Sequence, residues 1–254
     1  DNYYFVVNAE SYGAKEIEFS VNQENNQLIF ELGDPSEEEL IAAKEDTLIT
    51  EIIAIELDDT ISTQELPVNL FAPNNVVFCI DVSVSMRQAG RLDLLKVSMI
   101  ELLNGLRPID KLAIVTYSST VTTVLKSDYV TDKVKITELI QELTAGGYTA
   151  GGKGIKKAYQ VARSNKIIDG NNQVIIATDG GFILKGNDIL SNVALNYAKG
   201  ISISVLGVKN KITTVRSMSS IASTGHGNYI HIENYSQAKK VLMNEIKNNS
   251  RKTD

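Results

Sequence analysis

Two apolar runs that each close on an aspartate limit what this chain can become. Val76-Val77-Phe78-Cys79-Ile80 ends at Asp81, and Val174-Ile175-Ile176-Ala177-Thr178 ends at Asp179. A short apolar run closed by a polar turn reads as a strand buried on both faces, the state of a central parallel strand. Two such strands ending in acids predict an open α/β sheet. Its site lies outside the carboxyl ends of the strands, where strand order reverses. After the first run, the alternate spacing of Asp81, Ser83 and Ser85 lets three oxygens converge as the chain turns. A carboxylate and two hydroxyls are hard donors, suited to Mg²⁺, Mn²⁺ or Ca²⁺ rather than zinc. Between the two runs, the glycine-rich stretch from Ala145 to Gly152 can bring the Thr149 hydroxyl close to the same point.

Asp81-x-Ser83-x-Ser85, then Gly146-Gly147-x-Thr149, then Thr178-Asp179-Gly180, in that order, resembles the metal-ion-dependent adhesion site of von Willebrand factor type A (VWA) domains. The flanking residues 73–86 and 146–159 are similar to bacterial cell-envelope members of that family. The likeness runs from roughly Leu48 to the chain end, and Val84 stands where the family often has glycine. The resemblance implies a doubly wound, mostly parallel sheet flanked by helices, Rossmann-like in plan. It implies a complete metal site in which Asp81, Ser83, Ser85, Thr149 and Asp179 hold a Mg²⁺-type ion. It also implies binding of a protein partner through an Asp or Glu carboxylate, in adhesion or complex assembly, at the cell envelope or outside the cell. The rim candidates are Arg87, Gln88, Tyr148 and Phe182. Members that switch shape imply a second resting position for the final helix.

At 254 residues the chain can hold one large domain and a small extra unit. The expected division is an acidic β-rich extension over 1–74 and a VWA domain over 75–254. Residues 1–75 carry 17 acids and 2 bases, whereas 76–254 carry 14 acids and 23 bases. Such asymmetry marks separate units or mutual docking. The basic residues are scattered without interleaved aromatics, which argues against nucleic-acid binding. No apolar run approaches the ~20 residues of a membrane span. The chain starts at Asp1 with neither Met nor signal peptide, so the expectation is a mature fragment. The lone Cys79, inside the first apolar run, reads as a small buried hydrophobe.

In chain order, Tyr3–Val7, Glu16–Val21 and Gln27–Leu32 read as strands, with a turn at Asn25-Asn26. A capped short helix follows Pro35, then a strand over Leu48–Leu57 and a proline-bearing connector over 65–73. From residue 75, strands and helices alternate, the signature of a largely parallel sheet. Strands are expected at 76–80, 111–117, 173–178, 201–208 and 228–232, with an antiparallel edge strand at 121–125. Helices are expected at 91–106, 133–143, from the glycine loop to about 163, and at 188–198, 214–222 and 236–247.

Other readings compete. Asp81 and the serines could merely cap a helix, but Thr149 and Asp179 stand where partners are needed. Gly147-x₄-Gly152-Lys153 matches most of a phosphate-binding P-loop. Against that, Gly154 replaces the required Ser or Thr, and a helix rather than a strand precedes the loop. A metal-dependent hydrolase acting on phosphoryl or acyl groups is the alternative function. Hydrolysis usually also needs a positioned base. His226 and His231 lie near the last strand, far in sequence from the three motif segments. The reading adopted is a non-enzymatic binding module.

Overall fold

The computed structural model describes residues 2–9, 13–20, 65–149, 151–182, 184 and 188–252, with backbone alone for 2–9, 13–20 and Lys239. The chain separates into two compact units, Asp1–Ile61 and Ser62–Asp254. In the first, β1 (Asn2–Ala9) and β2 (Gly13–Ser20) form an antiparallel hairpin. The expected turn at 25–26, the strands at 27–32 and 48–57 and the helix after Pro35 lie outside the described residues.

The second unit is an α/β sandwich built on a six-stranded sheet of order β5-β4-β3-β6-β7-β8. Its strands are β3 (Asn74–Asp81), β4 (Lys111–Tyr117), β5 (Val121–Tyr129), β6 (Asn171–Thr178), β7 (Ser202–Val208) and β8 (His226–Ile232). All neighbours pair in parallel except β4 with β5. The chain leaves β3 outward through β4 and β5, then returns to the other side of β3 as β6. The strand order therefore reverses between β3 and β6, and a crevice opens at their carboxyl ends.

Among the described residues six helices cover the faces: α1 (Arg91–Gly105), α2 (Lys133–Gln141), α3 (Gly151–Ser164), α4 (Ile189–Tyr197), α5 (Ile212–Thr224) and α6 (Tyr235–Ser250). Alternation along β3 assigns its side chains to two cores. Val76, Phe78 and Ile80 join residues of α1, α2 and α6; Val77 and Cys79 join those of α3, α4 and α5. Asp81 has the parity of Val77 and Cys79, so its carboxyl belongs to the α3 side. Two helix starts follow local chemistry. Asp132 accepts from the Lys135 amide, and Asn234 from the Gln237 amide.

The amino end of the sheet is tied by buried polar groups. The Asp110 carboxylate, 0% exposed, accepts from the Arg107 amide and side chain and from Asn74. The Arg107 guanidinium also donates to the carbonyls of Leu66, Phe71 and Ala72, fixing the segment that leads into β3. Phe71 bridges to Arg251, so this segment and the chain end share the edge of the second unit. On α6, buried Glu245 accepts from Gln173 of β6, Ser204 of β7 and Asn228 of β8. The helix is thereby hydrogen-bonded to three strands.

Candidate metal centre at the sheet switch point

Asp81 and Asp179 stand on either side of the crevice. Asp81 is the last residue of β3, and the register of β3 on β6 aligns Ile80 with Ala177. That register puts Thr178 beside Asp81, and Thr178 Oγ1 donates to Asp81 Oδ2 at 2.8 Å. The other carboxylate oxygen, Oδ1, accepts from the Ser83 amide at 2.8 Å. The chain then turns into a short 3₁₀ segment, Val84–Gly90. The Ser83 and Ser85 hydroxyls lie 3.1 Å apart, and Ser85 Oγ donates to Asp179 Oδ1 at 2.8 Å. Asp81, Ser83, Ser85 and Asp179 are thus linked through hydrogen bonds, with Thr178 bracing Asp81.

The glycine loop is bound to the same turn. The Gly146 amide donates to Val82 O at 2.7 Å, and the Val84 amide to Gly147 O at 3.0 Å. Gly147 has φ +83°, and a Cβ there would lie 2.8 Å from Ser119 Oγ, so the position requires glycine. The Tyr148 amide donates to the same Ser119 hydroxyl. Thr149, which follows, is exposed and lines the crevice with Thr178 and Gly180, and among the described residues no hydrogen bond joins it to Asp81, Ser83, Ser85 or Asp179. Val84 is 54% exposed, so its side chain leaves the site rather than entering it. Gly154 is explained by packing: a Cβ there would meet the Tyr117 ring at 2.5 Å.

Of the rim residues, Arg87 and Gln88 are exposed, and Arg87 donates to Ala145 O at 2.6 Å. Tyr148 is 86% exposed. Phe182 is half-buried; its ring lies beside Gly151, while its amide donates to Ser217. His226 stacks on Tyr197, and His231 bonds to Asn210 and Glu233, so both are engaged on the β8 side of the sheet.

Sequence reasoning missed Arg91 and gave Thr178 no role of its own. Arg91, the first residue of α1, pairs with Asp179 Oδ2 at 2.9 Å and donates to Ser85 O at 3.0 Å. Nothing in its helical spacing signals that its guanidinium turns back into the crevice. Thr178 was visible in the motif, but its bond to Asp81 depends on the register between two strands.

The electrostatics suit a cation. Burial pushes the Asp81 carboxyl above its ordinary value, opposed by the bonds from Ser83 and Thr178, and Asp179 adds to the rise. A buried carboxylate with a neighbouring acid is relieved by positive charge. The 3.1 and 2.8 Å separations are those of hydrogen-bonded oxygens, so the Ser83, Ser85 and Asp179 oxygens stand close together at this point. Among the described residues no three His, Cys, Asp or Glu side chains cluster as a metal site, so any ion held here rests largely on hydroxyls.

Comparison with known proteins agrees with this architecture. A model of the von Willebrand factor type A domain matches residues 75–244. YfbK of Escherichia coli strain K12 is 38% identical over 188 residues, covering 73% of this chain and 32% of YfbK. The chain therefore spans about a third of that relative's length. BatB of Bacteroides thetaiotaomicron shares the fold at TM-score 0.58 and 21% identity, covering 69% of this chain and 98% of BatB. Proximal thread matrix protein 1 from the mussel byssus, in a structure with a zinc-occupied MIDAS motif, does so at TM-score 0.57 and 20% identity, covering 72% and 47%. The chain belongs to the von Willebrand factor type A domain family.

Proposed function

We propose that the domain is a divalent-metal-dependent protein-binding module that captures a partner's Asp or Glu carboxylate. Asp81, Ser83, Ser85, Thr149 and Asp179 would hold a Mg²⁺-type ion, with Mn²⁺ or Ca²⁺ as lesser substitutes. The observation that carries this reading is the hydrogen-bonded linkage of Asp81, Ser83, Ser85 and Asp179 at the reversal of strand order. Domains of this family are in general non-catalytic binding modules.

When bound, the ion supplies a Lewis-acidic position facing solvent, which a carboxylate can occupy. The chain's residues set its strength. Only two of the five proposed ligands are charged, and Arg91 already balances one of them, Asp179. The remaining donors are neutral hydroxyls, which leave positive charge available to an incoming acid. Thr178 and the Ser83 amide hold both Asp81 oxygens in place, so little reorganisation is needed. Arg87, Gln88, Tyr148 and Phe182 would frame the partner's contact. The similarity to bacterial envelope proteins supports a place at the cell envelope or outside the cell. Among the described residues, no helix is long and apolar enough to cross a membrane.

Calorimetric titration of the metal-stripped chain with Mg²⁺, beside Asp179→Ala, tests the site. One-site binding lost in the variant upholds it; equal binding by both overturns it.

A further inference from the structure

The metal-site reading leaves one motif without a role: Gly152-Lys153 at the start of α3. Next to the metal centre lies a pocket of about 480 Å³. The first two turns of α3 form one wall, with Gly151, Lys153 and Lys156. The first amides of a helix have no partner within it, and its dipole favours negative charge there. Lys153 and Lys156 are three residues apart on one helical face and exposed. Neither has a hydrogen-bond or ion-pair partner among the described residues. Tyr117 lines the pocket from β4. It is 0% exposed, yet its hydroxyl has no hydrogen-bond partner among the described residues. Phe182 adds an apolar surface, and Asp188 is the single acid among the described lining residues.

Among the described lining residues the polar groups are therefore mostly donors: helix amides, two ammonium groups and a buried hydroxyl. That inventory fits an anion. Thr178 and Gly180 line the pocket, and Thr178 also bonds Asp81 and the Gly180 amide, so the pocket and the candidate metal centre are continuous.

We propose that this pocket binds a second anionic group, a carboxylate or a phosphate, carried by the same partner whose acid engages the metal centre. The ligand class is then a paired acid rather than a lone one. The pairing rests on the metal-site reading above; the pocket itself does not.

The test is calorimetric titration of the full chain with inorganic phosphate and, separately, glutarate, in EDTA and again with saturating Mg²⁺. In EDTA, at least one anion binds saturably at one site. Lys153→Ala/Lys156→Ala weakens that binding by about tenfold or more. Tyr117→Phe weakens it less, with thermal unfolding monitored to separate binding from folding. With Mg²⁺, glutarate binds at least about tenfold more tightly than acetate, and the double lysine variant loses this advantage while still binding Mg²⁺. Whichever anion binds better identifies the source as carboxylate or phosphoryl, and either upholds the pocket. No saturable binding in EDTA, or binding indifferent to the lysines, overturns the pocket. Anion binding in EDTA without Mg²⁺ binding upholds the pocket and overturns the pairing.

Discussion

Arg91→Ala should move metal affinity and stability in opposite directions. The substitution leaves every proposed oxygen ligand in place and removes one positive charge beside Asp179. Arg91 Nη1 lies 2.9 Å from Asp179 Oδ2, while Ser85 Oγ lies 2.8 Å from the other oxygen, Oδ1. An ion on the serine side would stand roughly 6 Å from the guanidinium. A double and a single charge at that separation repel by about 1.4 kcal/mol in water and about 5.5 kcal/mol at an effective dielectric of ~20. Even the lower limit is about a factor of ten, so Mg²⁺ should bind Arg91→Ala at least about tenfold more tightly. In EDTA the variant leaves Asp179, 8% exposed, without its charged partner. Stability without metal should fall by about 1–3 kcal/mol. The assays are calorimetric Mg²⁺ titration and urea unfolding in EDTA, with Arg91→Lys retaining the charge and near-parent Mg²⁺ affinity. A loss of Mg²⁺ affinity in Arg91→Ala would refute the reasoning, since Arg91 would then be a strut for Asp179 rather than a competing charge.

Three further outcomes are expected. Burial holds Asp81 above its ordinary value, so the metal-free fold gains from its protonation at low pH and loses that gain as pH rises through the folded value. The stability of Asp81→Asn relative to the parent in EDTA should therefore increase as pH rises above about 4, and saturating Mg²⁺ should favour the parent; a pH-independent difference in urea unfolding contradicts this. Gly147→Ala puts a Cβ 2.8 Å from Ser119 Oγ at φ +83°, costing about 1–2 kcal/mol in urea unfolding and weakening Mg²⁺ binding through the displaced Thr149 loop; unchanged values of both would dismiss the loop's role. Asp110→Ala leaves the buried Arg107 guanidinium uncompensated and should lower stability by about 3–5 kcal/mol in urea unfolding. A loss below 1 kcal/mol would mean that the pair is dispensable.

The centre of the sheet was legible because its strands are apolar on both faces and end abruptly in acids. Asp81, Ser83 and Ser85 could be read together because they share one turn. The same hydropathy signal fails at the strand starts. Asn74, Asn75, Asn171, Asn172 and Gln173 are buried yet polar, each bonded to amide, carbonyl or carboxyl partners elsewhere in the fold, although Asn75 Oδ1 is left without one. Apolar reading therefore began β3 at 76 and β6 at 173 rather than at Asn74 and Asn171. The edge strand β5 runs to Tyr129, not 125, because its outer residues alternate between half-buried and exposed and are largely polar. Arg91, Thr178 and the anion pocket depend on contacts across elements that local spacing does not encode. The polarity of the glycine loop was visible, whereas its two backbone bonds to the Asp81 turn were not.

The most direct test of the central claim is whether the bound ion presents an open position to a carboxylate. The chain would be loaded stoichiometrically with Mn²⁺, freed of excess metal, and mixed with acetate, and paramagnetic relaxation of the acetate methyl signal would be recorded by NMR. The account predicts strong relaxation that is lost in Asp81→Asn and displaced by an acidic peptide. Acetate relaxation no greater than with the metal-stripped chain, despite one bound Mn²⁺, would contradict it.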